Sequence, residues 1–256
     1  TPSPTPSPTP TPSPTPTPSP TPTPSPTPTP ENPIECEGGN CSASNSNGSI
    51  EISEQQINNI SIQTDDIQTE ITIQDQVTQM TTTVNNQTSI DGGKLKAPLF
   101  ILNSTNGSPA RLTLANQATN QATINMEEGK NIVNFTNTRA KSPKINGSEG
   151  NETVRIKDGS QITGKAKIKL GGNSDTVVID GIINNATINN GIDDSKDKLK
   201  VSPSGVIKGK VKVKNFGRED RLNIDGETFK YNALQDKELQ KELKEIGIAV
   251  NLMDSN

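Results

Sequence analysis

Apolar residues alternate with polar residues in short runs that return at a nearly constant interval along the chain. Six such runs start 21 to 23 residues apart, and a second run follows each start by about 12 residues. Alternation with period two is typical of a strand that buries one face. A repeat of this length indicates small units that stack on one another. The starting pairs are Leu112/Leu114, Val133/Phe135, Val154/Ile156, Val177/Ile179, Leu199/Val201 and Leu222/Ile224.

Turn residues divide each repeat into three short sides. The pairs Asp158-Gly159, Asp180-Gly181 and Asp225-Gly226, and the stretch SPSG at 202–205, end the first side. Bends at Gly164, Asn185 and Gly209 divide the rest. The pattern predicts an all-β parallel β-helix, or solenoid, with coils of about 22 residues. A β-sandwich is the alternative interpretation, but its strands are not expected to return at so constant an interval.

The repeat extends upstream in a less regular form. Ile50/Ile52 and Ile71/Ile73 lie 21 residues apart, and Ile90 lies 22 residues before Leu112. Residues 50–84 are rich in Gln, Thr and Ile, and we interpret them as the first coils. A disordered or partner-dependent segment is the competing interpretation.

The C-terminal stretch NALQDKELQKELKEIG predicts a helix that caps the solenoid. It would begin at Asn232 with Gln235 as a capping-box partner, place Leu239, Leu243 and Ile246 on one face, and end at Gly247. We expect this helix to lie across the last coil, because an open strand edge invites aggregation.

The N-terminal 30 residues carry Pro at every even position and no charge, which predicts a disordered, extended stalk. An unmodified spacer and an O-glycosylated extracellular stalk both fit this composition. Because the chain begins with Thr, we expect a fragment or a processed product. The predicted organisation is a Pro/Thr/Ser linker at 1–33, a junction at 34–49, the solenoid at 50–231, and a helix with a tail at 232–256.

Two cysteines, Cys36 and Cys41 in CEGGNC, follow the stalk. Their short spacing around two glycines predicts a disulfide, which would indicate an oxidising compartment. A zinc site is not expected, because the chain has no His and no further Cys.

Composition narrows the possible partners and chemistry. The net charge of −4 gives no reason to expect a nucleic acid or an anionic membrane as partner. The sequence has no apolar run long enough for a transmembrane segment. Without His, neither a Ser-His-Asp nor a Cys-His arrangement is possible. The stalk and the predicted disulfide indicate an extracellular or cell-surface location.

An acidic residue stands two positions before the start of four consecutive repeats: Glu152, Asp175, Asp197 and Asp220. Stacked coils would place these carboxylates about 4.8 Å apart. Ca²⁺ or the neighbouring Lys196, Arg218 and Arg221 would compensate their charge, or the carboxylates would be solvated. With solvated carboxylates, no cofactor is expected.

The stretch GGNSDTVVI resembles the hemolysin-type (RTX) repeat, G-G-x-G-x-D-x-U-x with U apolar. Gly171, Gly172, Asp175 and Val177 match in kind, but the Asp comes one residue early and Ser174 stands nearest the third Gly. The resemblance implies Ca²⁺ as a cofactor in a β-roll, and a calcium-binding secreted module as the function.

Lysine rows provide a candidate ligand face: Lys165, Lys167 and Lys169, then Lys208, Lys210, Lys212 and Lys214. Spacing by two directs each row outward, which suits a glycan or an anionic polysaccharide as well as simple solubility.

The chain is similar to bacterial secreted or surface β-solenoid proteins. We therefore expect a non-catalytic structural or adhesive surface protein that binds a glycan or other cell-surface polymer, or associates with itself.

An enzyme is the remaining alternative, because proteins that resemble parallel β-helices often cleave acidic glycans. Asp175, Asp197, Lys165 and Arg155 would be the candidate residues of a polysaccharide lyase or hydrolase. The near absence of aromatic residues for stacking on sugars argues against this function.

Overall fold

A computed structural model describes residues 40–45, 49–52, 59–64, 68–74, 76–104 and 107–253. The fold is all-β, with one α-helix near the C-terminus. In chain order the strands are β1 (Asn40–Asn45), β2 (Ser49–Ile52), β3 (Asn59–Thr64), β4 (Thr69–Ile73), β5 (Gln76–Val77), β6 (Met80–Val84), β7 (Gln87–Asp91), β8 (Lys94–Lys96), β9 (Leu99–Leu102), β10 (Ala110–Ala115), β11 (Ala118–Asn120), β12 (Thr123–Met126), β13 (Asn131–Thr136), β14 (Arg139–Lys141), β15 (Lys144–Asn146), β16 (Thr153–Ile156), β17 (Gln161–Thr163), β18 (Ala166–Lys169), β19 (Thr176–Ile179), β20 (Ile182–Asn189), β21 (Lys198–Val201), β22 (Val206–Phe216), β23 (Arg221–Ile224), β24 (Glu227–Lys230) and β25 (Ile248–Leu252).

The regular coils contribute a strand, or part of one, to each of three faces, and the strands that successive coils stack on a face pair in parallel. We name these faces A, B and C in the order in which the chain visits them. Face A contains β2, β4, β7, β10, β13, β16, β19, β21 and β23. Face B contains β5, β8, β11, β14, β17 and the first parts of β20 and β22. Face C contains β1, β3, β6, β9, β12, β15, β18, the second parts of β20 and β22, and β25. The predicted solenoid is confirmed, and the sandwich alternative is wrong.

The predicted register is confirmed through the regular coils. Val154 pairs with Val177, Val177 with Leu199, and Leu199 with Leu222, so the four side chains form one buried column. Such columns of Ile, Val and Leu fill the narrow interior, with Phe100, Phe135 and Phe216 as the largest fully buried side chains.

The upstream coils follow the same plan with one change of register. Ile50 pairs with Ile71 as predicted, and the described parts of residues 50–84 form coils of the solenoid. Ile90, however, pairs with Leu114 and not with Leu112. The difference arises because the corner before β10, residues 103–109, is longer than the corner before β13, residues 127–130.

Left-handed backbone at the bend between faces B and C explains the predicted turn residues. Gly164, Asn185 and Gly209 have φ values of 78°, 55° and 90°. Only Gly, and to a lesser degree Asn or Asp, adopts this conformation at low cost. Side chains also support the bend, since Ser142 Oγ accepts a hydrogen bond of 3.2 Å from the backbone N–H of Lys165.

A helical cap covers the C-terminal end, but it starts later than the sequence predicts. A 3₁₀ helix, Ala233–Gln235, precedes the α-helix α1 (Lys237–Glu245). Asp236, not Asn232, caps α1: its carboxylate accepts hydrogen bonds from the backbone N–H groups of Glu238 and Leu239. An Asp at this position also interacts favourably with the positive end of the helix dipole.

The face of α1 that meets the core differs in one position from the prediction. Leu243 is buried and Leu239 packs against the core, whereas Ile246 is 50% exposed because it lies at the C-cap. The chain reverses at Gly247, with φ of 91°, and returns to face C as β25 in place of the expected tail. Antiparallel β24 closes face A.

The N-terminal predictions lie mostly outside the described residues. The stalk at 1–33 and Cys36 are not described, so the Cys36–Cys41 disulfide stays a prediction. The backbone of Cys41 belongs to β1, which pairs with β3, within the segment predicted as a junction. Over the described ranges, no helix combines the length and the apolar character needed to cross a bilayer.

Candidate functional site

The four acidic residues of the repeat form one buried column at the corner between faces C and A. Glu152, Asp175, Asp197 and Asp220 are each exposed by 2% or less, so the interpretation as solvated carboxylates is wrong. The backbone N–H of each of the first three residues donates to the carboxylate of the next coil, with distances of 2.7 Å to Asp175, 2.9 Å to Asp197 and 2.9 Å to Asp220. The carboxylates therefore stabilise the stacking of successive corners.

Asp220, the last residue of the column, accepts more hydrogen bonds than the other three carboxylates. Asp220 Oδ2 accepts hydrogen bonds of 2.8 Å from the backbone N–H of Gly217 and from Asn190 Nδ2. In contrast, Glu152 Oε2 and Asp175 Oδ2 are buried without a hydrogen-bond partner.

Burial raises the pKa values of the carboxyl groups in the column. Burial, strengthened by the side chain of Glu152, raises the pKa of Asp175 to about 10. Burial raises the pKa of Asp197 to about 7, against the opposing hydrogen bond from the backbone of Asp175. Burial also raises the pKa values of Glu152 and Asp220. The raised pKa values favour the protonated form of these carboxyl groups, which lowers the negative charge that a neighbouring cation would have to compensate.

The described side chains of the column do not converge on one point as the ligands of a calcium ion do. Calcium needs six to eight oxygen ligands around one point. In the described part of the chain, no group of three or more acidic or sulfur-bearing side chains converges in this way. One oxygen of Asp175, Asp197 and Asp220 is already engaged by the backbone of the preceding coil.

The predicted basic partners do not compensate the column through their side chains. Arg221 forms an ion pair of 3.8 Å with Glu219 and donates to the carbonyl oxygens of Glu219 and Asp220. Neither Lys196 nor Arg218 takes part in either of the two ion pairs found among the described residues.

The lysine rows project outward, as the sequence predicts. Lys165, Lys167, Lys169, Lys208, Lys210, Lys212 and Lys214 are all exposed on face C and on the bend beside it. Along one column, Lys144 pairs with Lys167, Lys167 with Thr187, and Thr187 with Lys212. Three cations and one small neutral residue therefore stack in this column along the solenoid axis.

Part of this surface forms a groove of about 320 Å³, which we call the C-terminal basic groove. Lys165 and Lys167 form one wall, Lys210 and Lys212 form the other, and Asn185 and Thr187 lie between them. Asn185 is held in place because its Oδ1 accepts a hydrogen bond of 3.1 Å from the backbone N–H of Lys210.

Face B also carries four basic residues that the sequence analysis did not select. Lys94 and Lys96 lie on β8, and Arg139 and Lys141 lie on β14. In the sequence, these basic residues stand two positions apart in the triplets KLK and RAK, as the lysines of the longer rows do. These strands are only three residues long, too short for a row to stand out.

Charge is segregated around the coil. In the described strands of faces B and C there are no acidic residues. The corner between faces C and A holds ten acidic residues of the described ranges, and we call it the acidic edge; three basic residues, Lys130, Lys196 and Arg218, lie there too. Its acidic members are Glu127, Glu128, Glu149, Glu152, Asp175, Asp193, Asp194, Asp197, Glu219 and Asp220.

The residues considered for an enzyme do not come together. Asp175 and Asp197 are buried in the acidic edge, whereas Arg155 is exposed on face A and Lys165 on the bend between faces B and C. These four side chains therefore form no common cleft.

Comparison with protein families found no matching family model, and searches of curated proteins and of solved structures found no match. Function is therefore inferred from the chemistry of this chain.

Proposed function

We propose that this chain is a non-catalytic, extracellular structural or adhesive surface protein that binds an anionic polysaccharide through the basic side chains of faces B and C. The observation that carries this proposal is the segregation of charge: the described strands of faces B and C carry basic and neutral side chains but no acidic ones, while ten acidic residues gather at the acidic edge. A net charge of −4 would otherwise disfavour an anionic partner.

The shape of the surface favours a long, repetitive ligand over a small molecule. Parallel strands repeat identical positions at about 4.8 Å along the axis. Lys144, Lys167 and Lys212 lie in one such column, and Lys169 and Lys214 lie in the column beside it. A linear polymer with regularly spaced anionic groups can meet several of these cations at once, so weak contacts add up.

Binding to a charged polymer and to its neutral derivative tests the function. We expect the chain to bind polygalacturonate at low ionic strength, to bind its methyl ester at least tenfold more weakly, and to lose affinity as salt screens the charges. Calorimetric titration with each polymer measures the difference.

Variants test whether the polymer binds at the C-terminal basic groove. Changing Lys165, Lys167, Lys210 and Lys212 to Gln should weaken binding at least tenfold. A control that changes the exposed Lys130, Lys198, Lys230 and Lys237 to Gln removes the same charge elsewhere. Equal affinity for the acid and the ester, or release of unsaturated products from the polymer, would contradict the proposal.

A further inference from the structure

A second groove lies on face B, nearer the N-terminal end of the solenoid. Its volume is about 460 Å³. Lys94 and Lys96 form one wall, Arg139 and Lys141 form the opposite wall, and the floor between them carries Ala118 and Asn120. We call it the N-terminal basic groove.

The strand register fixes the arrangement of the four cations. Lys94 pairs with Ala118, and Ala118 with Arg139; in the next column Lys96 pairs with Asn120, and Asn120 with Lys141. Two coils separate the walls, which is about 10 Å, and residues two apart on a strand are about 7 Å apart. The cations therefore stand at the corners of a rectangle around a row of small side chains.

The same arrangement recurs in the C-terminal basic groove. There, Lys167, Thr187 and Lys212 form a column of cation, small neutral residue and cation. Asn120 and Asn185 both lie between the walls of their grooves. Two grooves of similar design therefore lie at different heights of the solenoid, one on face B and one on face C.

The electrostatic setting of the N-terminal basic groove favours an anion. Its four basic side chains are exposed, and none of them takes part in an ion pair found among the described residues. In a three-sided coil, face B lies opposite the corner between faces C and A, which is the acidic edge. The cations of this groove are thus well removed from the column of carboxylates.

We infer that the N-terminal basic groove is a second binding site for an anionic polysaccharide, with carboxylates or sulfates of the sugars on the four cations. Ala118 leaves space for a sugar ring, and the amide of Asn120 offers a donor and an acceptor to hydroxyl groups. The planar guanidinium group of Arg139 can donate two parallel hydrogen bonds to a carboxylate or sulfate. The groove has no aromatic side chain on which a base would stack, which disfavours single-stranded nucleic acid.

This inference rests on the proposed function, and the two sites are tested separately. Full-length variants change either Lys94, Lys96, Arg139 and Lys141, or the four lysines of the C-terminal basic groove, to Gln. The control is the variant of Lys130, Lys198, Lys230 and Lys237. Each is titrated with polygalacturonate and dextran sulfate, and with the neutral methyl ester and dextran.

We expect the N-terminal variant to lose at least tenfold in affinity, while the control stays within about twofold of the wild type. If this variant loses more affinity for polygalacturonate, carboxylate is the preferred group; if it loses more affinity for dextran sulfate, sulfate is the preferred group. If the quadruple variant does not melt cooperatively, the double variants K94Q/R139Q and K96Q/K141Q replace it, with at least a threefold loss expected for each.

Each other outcome has a definite meaning. If the wild type binds no polyanion, the proposed function fails. If the N-terminal variant binds like the control while the C-terminal variant loses affinity, the proposed function stands and this inference is overturned. Tighter binding to single-stranded DNA or to phosphatidylserine vesicles than to both polysaccharides would overturn the ligand class.

Discussion

At the scale of single residues, the buried carboxylates tie the stability of the solenoid to pH. A carboxyl group whose pKa is raised on folding binds more protons in the folded state, so the folded state loses stability as pH rises from the unfolded to the folded pKa. For Asp197 this interval runs from 3.8 to about 7, and for Asp175 from 3.8 to about 10. The column therefore opposes folding at neutral pH more than at pH 4 to 5.

Replacing Asp175 by Asn should remove much of the pH dependence of the stability of the solenoid. The Asn side chain resembles a protonated Asp: its oxygen can accept from the backbone N–H of Glu152, and its NH₂ group can donate to the Glu152 carboxylate. We expect D175N to be more stable than the wild type at pH 8 by about 1–3 kcal/mol, and to differ little from it at pH 4. Thermal unfolding at both pH values measures the effect.

The exposed Asp194, on the same acidic edge, is the matched control. D194N changes the net charge equally but removes no buried carboxyl, so its stability should follow the wild type at both pH values. Destabilisation of D175N at pH 8 would show that the ionised carboxylate stabilises the column.

The acidic residues also show what single-residue patterns leave open. Their recurrence predicted a column, and the column is present. Whether a corner carboxylate points into the coil or into solvent depends on the backbone N–H groups that the adjacent coil presents. That information belongs to the stacked structure and not to the local sequence, so burial was missed.

At the scale of elements, alternation and turn chemistry were sufficient for most of the fold. The bends at Gly164, Asn185 and Gly209 follow from residues that tolerate positive φ. The C-terminal end was harder, because Asn232 and Asp236 are both good N-cap residues and the helix is short. The return of β25 to face C depends on tertiary pairing with β22, which periodicity along the chain does not reveal.

The helical cap should contribute strongly to stability through its buried leucine. Leu243 is 3% exposed and belongs to the main hydrophobic cluster. We expect L243A to lower the free energy of unfolding by about 2–4 kcal/mol, because the substitution leaves a cavity between the helix and the last coil. Denaturant unfolding of the full chain measures the loss.

Glu242, beside Leu243 on the exposed side of α1, gives the control. E242A should change stability by no more than about 0.5 kcal/mol. If L243A were as stable as E242A, the helix would not contribute to holding the last coil, and the assignment of α1 as a cap would fail.

At the scale of the whole molecule, net charge is a poor guide to the partners of this chain. Its isoelectric point of about 5.1 and net charge of −4 describe a protein that should avoid anionic surfaces at pH 7. In the fold, however, acidic residues gather at the acidic edge and are absent from the described strands of faces B and C, which carry basic side chains. An approaching surface meets one face at a time, and at low salt the Debye length is comparable to the width of the coil.

We therefore expect the chain to be retained on a sulfonate cation exchanger at pH 7 and low ionic strength, despite its net negative charge. Changing Lys94, Lys96, Arg139 and Lys141 to Gln should make it elute at clearly lower salt. The variant of Lys130, Lys198, Lys230 and Lys237, with the same net charge, should elute near the wild type. Equal shifts for the two variants would mean that total charge, and not its segregation by the solenoid, governs contact with anionic polymers.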